Sequence, residues 1–255
     1  MFSTLHVLNL FLMFVRILAV LATAPVFNNR SMPTPAKIGF AALLALIILP
    51  VSPTAGQRLV TLPTDLLPFI LIMAQETLIG VLIGFVSNLV FMAVGMGAGV
   101  MGLQIGFQAA NIFDPFINTQ SSALEQLYSL MAVAIFLIID GHHWLILALV
   151  RTFEIAPLGS FVFDSVTMEQ LLRLTGESFV AAIQIALPIM STLILTDLGL
   201  GLVARAVPQV QVFFVGLPLK MGLGVLVLAL TLPLTIPVIR ALFPHVVIDI
   251  LNITR

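Results

Sequence analysis

The chain has no cysteine, one tryptophan and one tyrosine, and only 8% of its residues are charged. Without cysteine there are no disulfides, thiolate metal sites or thiol nucleophiles. The shortage of charge excludes more. Soluble domains carry about 25% charged residues, so this chain lacks the groups needed to cover a water-facing surface. Its 10 basic and 11 acidic residues nearly cancel, and a net charge of −1 offers no field for nucleic acid. What it has instead is 60% hydrophobic residues over 255 positions, with a mean hydropathy of +1.21. That is the composition of an integral membrane protein, or of part of a membrane assembly.

Taken in order, residues 5–27 read as an apolar helix containing Arg16. Ala22-Thr23-Ala24 resembles a signal cleavage site. However, Met1–Leu5 has no basic residue, Arg16 interrupts the run and Pro25 follows, so the segment is expected to be retained. Pro33 and Pro35 make 28–37 a loop. Residues 36–51 and 124–139 are apolar runs of 16 residues, about 24 Å of helix against about 30 Å of hydrocarbon. Residues 66–90 are long enough to cross but carry Glu76. Thr167-Met168-Glu169-Gln170 fits a capping box, with Val166 and Leu171 as its staple. The helix it starts is expected to bend or stop at Pro188, and its apolar continuation carries Asp197 and Arg205. The last run, 213–243, carries Lys220 and is expected to be broken by Pro218, Pro233 and Pro237. No repeat or linker divides the chain, which reads as one domain.

Each charge at the centre of a span costs about 2.5–3.5 kcal/mol on insertion. Arg16, Glu76, Asp197, Arg205 and Lys220 therefore disfavour a bundle bathed in lipid, and are read as buried charges on faces that meet protein. Basic loop residues do not segregate, so the positive-inside rule sets no orientation.

Phe91–Pro115 is the densest signal. Gly95, Gly99, Gly102 and Gly106 fall on one helical stripe. Glycine inside a helix costs about 1 kcal/mol against alanine, so the stripe is read as a helix-packing surface of the small-xxx-small kind. It runs into a polar, aromatic break containing Phe107, Asn111, Phe113, Asp114, Pro115 and Phe116. Irregular backbone at membrane depth is tolerated only inside protein or along a cavity, which points to a constriction.

Other motifs have plainer readings. Gly97-Ala98-Gly99-Val100-Met101-Gly102 matches G-x-G-x-x-G but lacks the flanking strand that a dinucleotide site requires. Asp140-Gly141-His142-His143 offers metal-ligand types, yet adjacent histidines diverge on most backbones and an Asp-Gly turn explains the residues. No metal or cofactor is therefore expected. Glu76 and Asp197 could carry protons, as in a proton-coupled secondary transporter, or could pair with Arg16, Arg205 or Lys220. No catalytic grouping points to an enzyme.

A set of short stretches carries a resemblance: Phe14-Val15-Arg16-Ile17, Ala24-Pro25-Val26, Leu103-Gln104-Ile105-Gly106 with Asp114-Pro115, Gly141-His142 with Trp144-Leu145-Ile146, Arg205-Ala206-Val207-Pro208-Gln209, and Val215-Gly216-Leu217-Pro218. Together they resemble the FliR family of flagellar and virulence type III secretion export proteins. The resemblance implies an all-α fold of bent helical hairpins in a helical, conical multi-subunit export gate in the bacterial inner membrane at the flagellar basal body. Residues 1–177 would be FliP-like and 178–255 FliQ-like. It implies several copies of FliP and FliQ homologues as partners, FlhB and FlhA homologues nearby, unfolded export substrates, and contact with membrane lipid. Its plug loop would map to 106–122, with Phe107, Phe113 and Phe116 helping to close the channel.

Overall fold

The computed structural model describes residues 4–27, 32–50, 66–107, 123–209 and 211–254, and among them every regular element is an α-helix. The helices are α1 (Thr4–Thr23), α2 (Thr34–Ile48), α3 (Leu66–Ile105), α4 (Ala123–Ile138), α5 (Gly141–Ile155), α6 (Ser165–Ala206) and α7 (Val212–Ile253). Four of them, α1, α3, α6 and α7, are long and apolar enough to cross a membrane, and α4 with α5, bent by 69°, make a possible broken fifth span. This is an all-α membrane protein.

The runs 66–90 and 91–105 form one helix. Two expectations about breaks are corrected. Pro188 lies inside a continuous α6. Likewise α7 continues through Pro218, Pro233 and Pro237. An interior proline forfeits one backbone hydrogen bond, whereas ending a helix leaves several donors and acceptors unmet. In apolar surroundings with no water to meet them, the single loss is smaller. Nearby hydroxyls bond within their own helix as well: Thr192 and Ser191 donate to the Pro188 and Leu187 carbonyls, at 2.9 and 2.8 Å.

The start of α6 is also corrected. Thr167 does not cap the helix, which begins at Ser165; Asp164 does. The Asp164 carboxylate accepts the Thr167 backbone N–H at 2.9 Å and its hydroxyl at 3.0 Å. A carboxylate at this position meets both the unpaired amides and the positive end of the helix dipole. The Thr167 backbone N–H above all, with the Thr167 hydroxyl, holds the Asp164 carboxyl below its ordinary range.

The chain forms two compact units, each discontinuous in sequence. One comprises 1–89, 137–175 and 243–255, and has a single apolar core in which Leu12, Met13 and Ile17 of α1 meet Ile79 and Ile83 of α3 and Leu149 and Phe153 of α5. The other comprises 90–136 and 176–242, with Val94, Ala98 and Met101 of α3, Leu124 and Tyr128 of α4 and Ala182, Ile185 and Ile189 of α6 buried.

The tightest helix crossings use glycines outside the expected stripe. A Cβ on Gly80 would stand 2.5 Å from the Arg16 carbonyl oxygen and 2.6 Å from the Ala19 Cβ, and one on Gly84 would strike the Thr23 side chain. In the second unit, a Cβ on Gly97 would lie 2.8 Å from the Ala182 carbonyl oxygen. By contrast, Gly95 has open space around its Cβ position, and Gly99 faces the Glu125 carboxylate. A Cβ on Gly106 would lie 2.9 Å from Leu217 Cδ1 of α7, but this glycine also has a second role. It adopts φ 94° and ends α3, with Phe107 N–H donating to the Gly102 carbonyl at 3.0 Å and Gly106 N–H to that of Leu103 at 3.1 Å. This is a Schellman closure, which favours glycine at the left-handed position.

Gly80→Ala is expected to destabilise the purified chain by about 1–3 kcal/mol through overpacking against α1. Gly95→Ala is expected to be neutral, or stabilising by up to about 1 kcal/mol. Thermal unfolding in detergent compares them, and equal effects would overturn the assignment of the α1–α3 crossing. Asp164→Ala is expected to lower the unfolding midpoint at pH 7 by roughly 1–3 °C. Because folding depresses this carboxyl, its contribution is complete above about pH 4 and fades as pH falls through the folded value. The gap between variant and parent should therefore close in acid.

Candidate functional site

Two polar clusters sit within the apolar helices, one in each unit. The first is built where α1 crosses α3. Glu76, Gly80 and Gly84 are four residues apart, so they share a face of α3, and the two glycines let the α1 backbone approach closely. That approach places Arg16 opposite Glu76. The Arg16 Nε donates to Glu76 Oε2 at 2.6 Å, with both side chains at 0% exposure. Arg16 Nη1 donates to the carbonyls of Thr152 at 3.3 Å and Ala156 at 3.0 Å at the end of α5, where the Thr152 carbonyl also accepts the Ala156 N–H at 2.9 Å. Its guanidinium carbon also lies 4.5 Å from the centre of the Phe153 ring, a cation–π contact.

The other carboxylate oxygen of Glu76 is equally occupied. Glu76 Oε1 accepts the Gly159 N–H at 2.9 Å. Gly159 has φ 74° and sits in a turn closed by Ser160 N–H to the Pro157 carbonyl at 3.1 Å. One ion pair therefore joins α1, α3, the end of α5 and the turn after it.

The second cluster lies one turn before the break that follows α3. Asp197 Oδ2 on α6 accepts from Lys220 Nζ on α7 at 2.9 Å and from Gln104 Nε2 on α3 at 3.4 Å. Here the expectation of buried charge is corrected for this chain taken alone. Asp197 and Lys220 keep 45% and 21% side-chain exposure, and Arg205 is exposed. Asp197 and Lys220 meet across the outer faces of α6 and α7, and Arg205 stands in the last turn of α6, where a cation complements the helix dipole.

Both acids considered as proton carriers are thus engaged in ion pairs. Phe107 is half-buried just beyond Gly106. Asn111, Phe113, Asp114, Pro115 and Phe116 lie outside the described residues. Thr152, Phe153, Ala156 and Gly159 belong to the first cluster but carried no signal of their own in the sequence. Gly80 and Gly84 did carry one, as a small-xxx-small pair one turn after Glu76.

Removing one member of a buried pair leaves an uncompensated charge and typically costs about 3–5 kcal/mol. Arg16→Met and Glu76→Gln are each expected to lose stability on that scale, and the double variant to lose clearly less than the sum. A double-mutant cycle by denaturant unfolding measures this. Additive losses would show that the two side chains do not act as a pair.

The profile described as "Bacterial export proteins, family 1" matches residues 7–246. The chain is 35% identical over 233 residues to the flagellar biosynthetic protein FliR of Pectobacterium carotovorum subsp. carotovorum, covering 91% of this chain and 87% of that protein. It is 32% identical over 236 residues to FliR of Escherichia coli K12, with coverage of 91% and 87%. Against FliR of Bacillus subtilis 168 it is 31% identical over 236 residues, with coverage of 91% and 89%.

Proposed function

Because the chain belongs to the bacterial export proteins, family 1, we propose that it is a core subunit of the flagellar type III export gate, forming part of the channel for unfolded substrates and, in the break at 107–122, part of its plug. The family and the flagellar relatives make it a membrane component of the flagellar export apparatus. The gate and the plug are the finer reading. In it the chain performs no chemistry, sits in the inner membrane at the basal body, and assembles with FliP and FliQ homologues next to FlhB and FlhA homologues. Residues 1–177 take the FliP-like part and 178–255 the FliQ-like part.

One observation carries this reading: only 17% of the apolar window of α7 is buried by the chain itself. Leu226, Leu230 and Leu234 stand exposed there, as do Leu195, Leu198 and Leu202 on α6. Lipid alone accounts poorly for so much bare surface. Helices α3, α6 and α7 have 40, 42 and 42 residues. At about 1.5 Å per residue each is about 60 Å long, twice the roughly 30 Å of hydrocarbon. Sister subunits covering the remainder fit both the length and the exposure. The open Cβ position at Gly95 suits a neighbouring helix in the same assembly.

Deleting Asn111–Asn118 tests the plug. Complexes reconstituted with this variant are expected to leak ions and small molecules in the resting state, read as conductance across a planar bilayer. Resting conductance equal to that of the parent complex would remove the plug from the reading. A secondary transporter would instead show substrate-dependent proton flux by the purified chain alone.

A further inference from the structure

Away from both polar clusters, the corner between α4 and α5 gathers three metal-ligating side chains. The ligand atoms of Asp140, His142 and His143 all lie within 4.8 Å of one another. This corrects the expectation that adjacent histidines diverge, because the two imidazole centroids are 4.3 Å apart. The backbone at the corner makes the convergence possible. Asp140 adopts φ 57° and ψ 30°, the left-handed conformation that aspartate tolerates better than most residues. The chain then turns by 69° from α4 into α5.

Among the described residues the three side chains have little other polar engagement. Asp140 holds the N-cap position of α5 but makes no side-chain cap hydrogen bond. Its carbonyl takes the His143 and Trp144 amides instead, at 2.9 and 3.3 Å. The Asp140 carboxylate leans toward the His143 ring, with Oδ1 3.6 Å from Nδ1, too far for a hydrogen bond. His142 Nδ1 is buried without a hydrogen-bond partner among the described residues. A carboxylate cap forgone, an imidazole nitrogen unspent, and a carboxylate and imidazole just outside bonding distance are what a site for a cation between them would leave behind.

We propose that Asp140, His142 and His143 form a binding site for a divalent transition-metal ion of the zinc class. Two imidazoles and a carboxylate are the donor set that such ions take, at bonds of about 2.0–2.1 Å that put tetrahedral ligands about 3.3 Å apart. The Asp140–His143 pair is already near that separation. Asp140 and His143 have 69% and 71% exposure, so an ion can enter from solvent and its remaining positions stay open to water or another ligand. Magnesium and calcium are disfavoured by the imidazoles. The ion would tie Asp140, just ahead of α5, to the first turn of that helix.

The test uses the full-length chain in detergent, free of any affinity tag, titrated at neutral pH with zinc chloride against a chromophoric chelator. Cobalt(II) absorption serves as a second, geometric readout. One ion per chain is expected to bind with a micromolar dissociation constant. Asp140→Asn, His142→Ala and His143→Ala should each weaken binding by at least about tenfold. The chain has four histidines, so His6→Ala with His245→Ala is the control and should leave binding unchanged. His143 is mostly solvent-facing, and its variant should keep the helical circular dichroism of the parent. Binding weaker than about 1 mM, or undiminished in a His142→Ala/His143→Ala double variant, would overturn the site.

Discussion

Everything in the first unit is arranged around a charge that has to be hidden. Arginine in the middle of an apolar helix must either reach water or find a carboxylate, and Arg16 finds Glu76 at 2.6 Å with neither side chain exposed. Desolvating two ions costs several kcal/mol each, and their attraction repays this only when their remaining hydrogen-bonding capacity is also met. Here it largely is. The Thr152 and Ala156 carbonyls take Nη1, the Gly159 amide meets the second carboxylate oxygen, and Phe153 lies beneath the guanidinium. A buried pair of this kind adds little over an apolar pair of similar volume but is costly to break on one side, so it ties α1, α3 and the end of α5 together.

The close crossing of α1 and α3 follows from the same need. Gly80 and Gly84 are the positions where any Cβ would meet α1, one and two turns beyond Glu76. Without that approach the guanidinium could not reach its carboxylate while remaining buried. Thr23, which sits against Gly84, turns its hydroxyl back to the Ala19 carbonyl at 2.8 Å and so brings no unmet donor into the contact. The long helices obey the same rule of satisfied polar groups when they run through their prolines.

The sequence showed the class and most helix positions plainly, because both depend on local composition and run length. Short α2 and α4 and the charged long runs were legible in this way. Helix ends that depend on one side chain were less so: Thr167 looked like the cap because Glu-Gln follow it, yet Asp164 three residues earlier takes its amide. Glycine position was legible but its use was not. Gly80, Gly84 and Gly97 pack against helices of their own chain, while the more conspicuous Gly95 faces open space. Arg16 and Glu76 could be named as charges needing partners. Their sequence separation of 60, and that of 140 between Arg16 and Ala156, left the pairing to tertiary structure. The residues from Asn111 to Phe116 are outside the described part, so the aromatic break is defined structurally only by its near edge, Gly106 and Phe107.

The two clusters together separate what the chain encloses by itself from what it leaves exposed. Arg16 and Glu76 are fully enclosed by the chain itself, although Arg16 Nη2 has no hydrogen-bond partner among the described residues. Asp197 and Lys220 have the same chemistry and a comparable distance, but remain partly exposed among bare leucines of α6 and α7. An exposed ion pair on a water-facing helix would be unremarkable and worth little. On helices this apolar it stands either in lipid, where it is costly, or against protein that covers it. Gln104 already donates to the same Asp197 oxygen, so the pair enters such an interface with one extra bond in place. A polar group satisfied within the chain but covered only by a neighbour fixes the register of an apolar contact without having to be rebuilt on assembly. In the proposed assembly the exposed cluster, beside the break after α3, would lie on the surface covered by a neighbouring subunit, and the enclosed one in the part that folds beforehand.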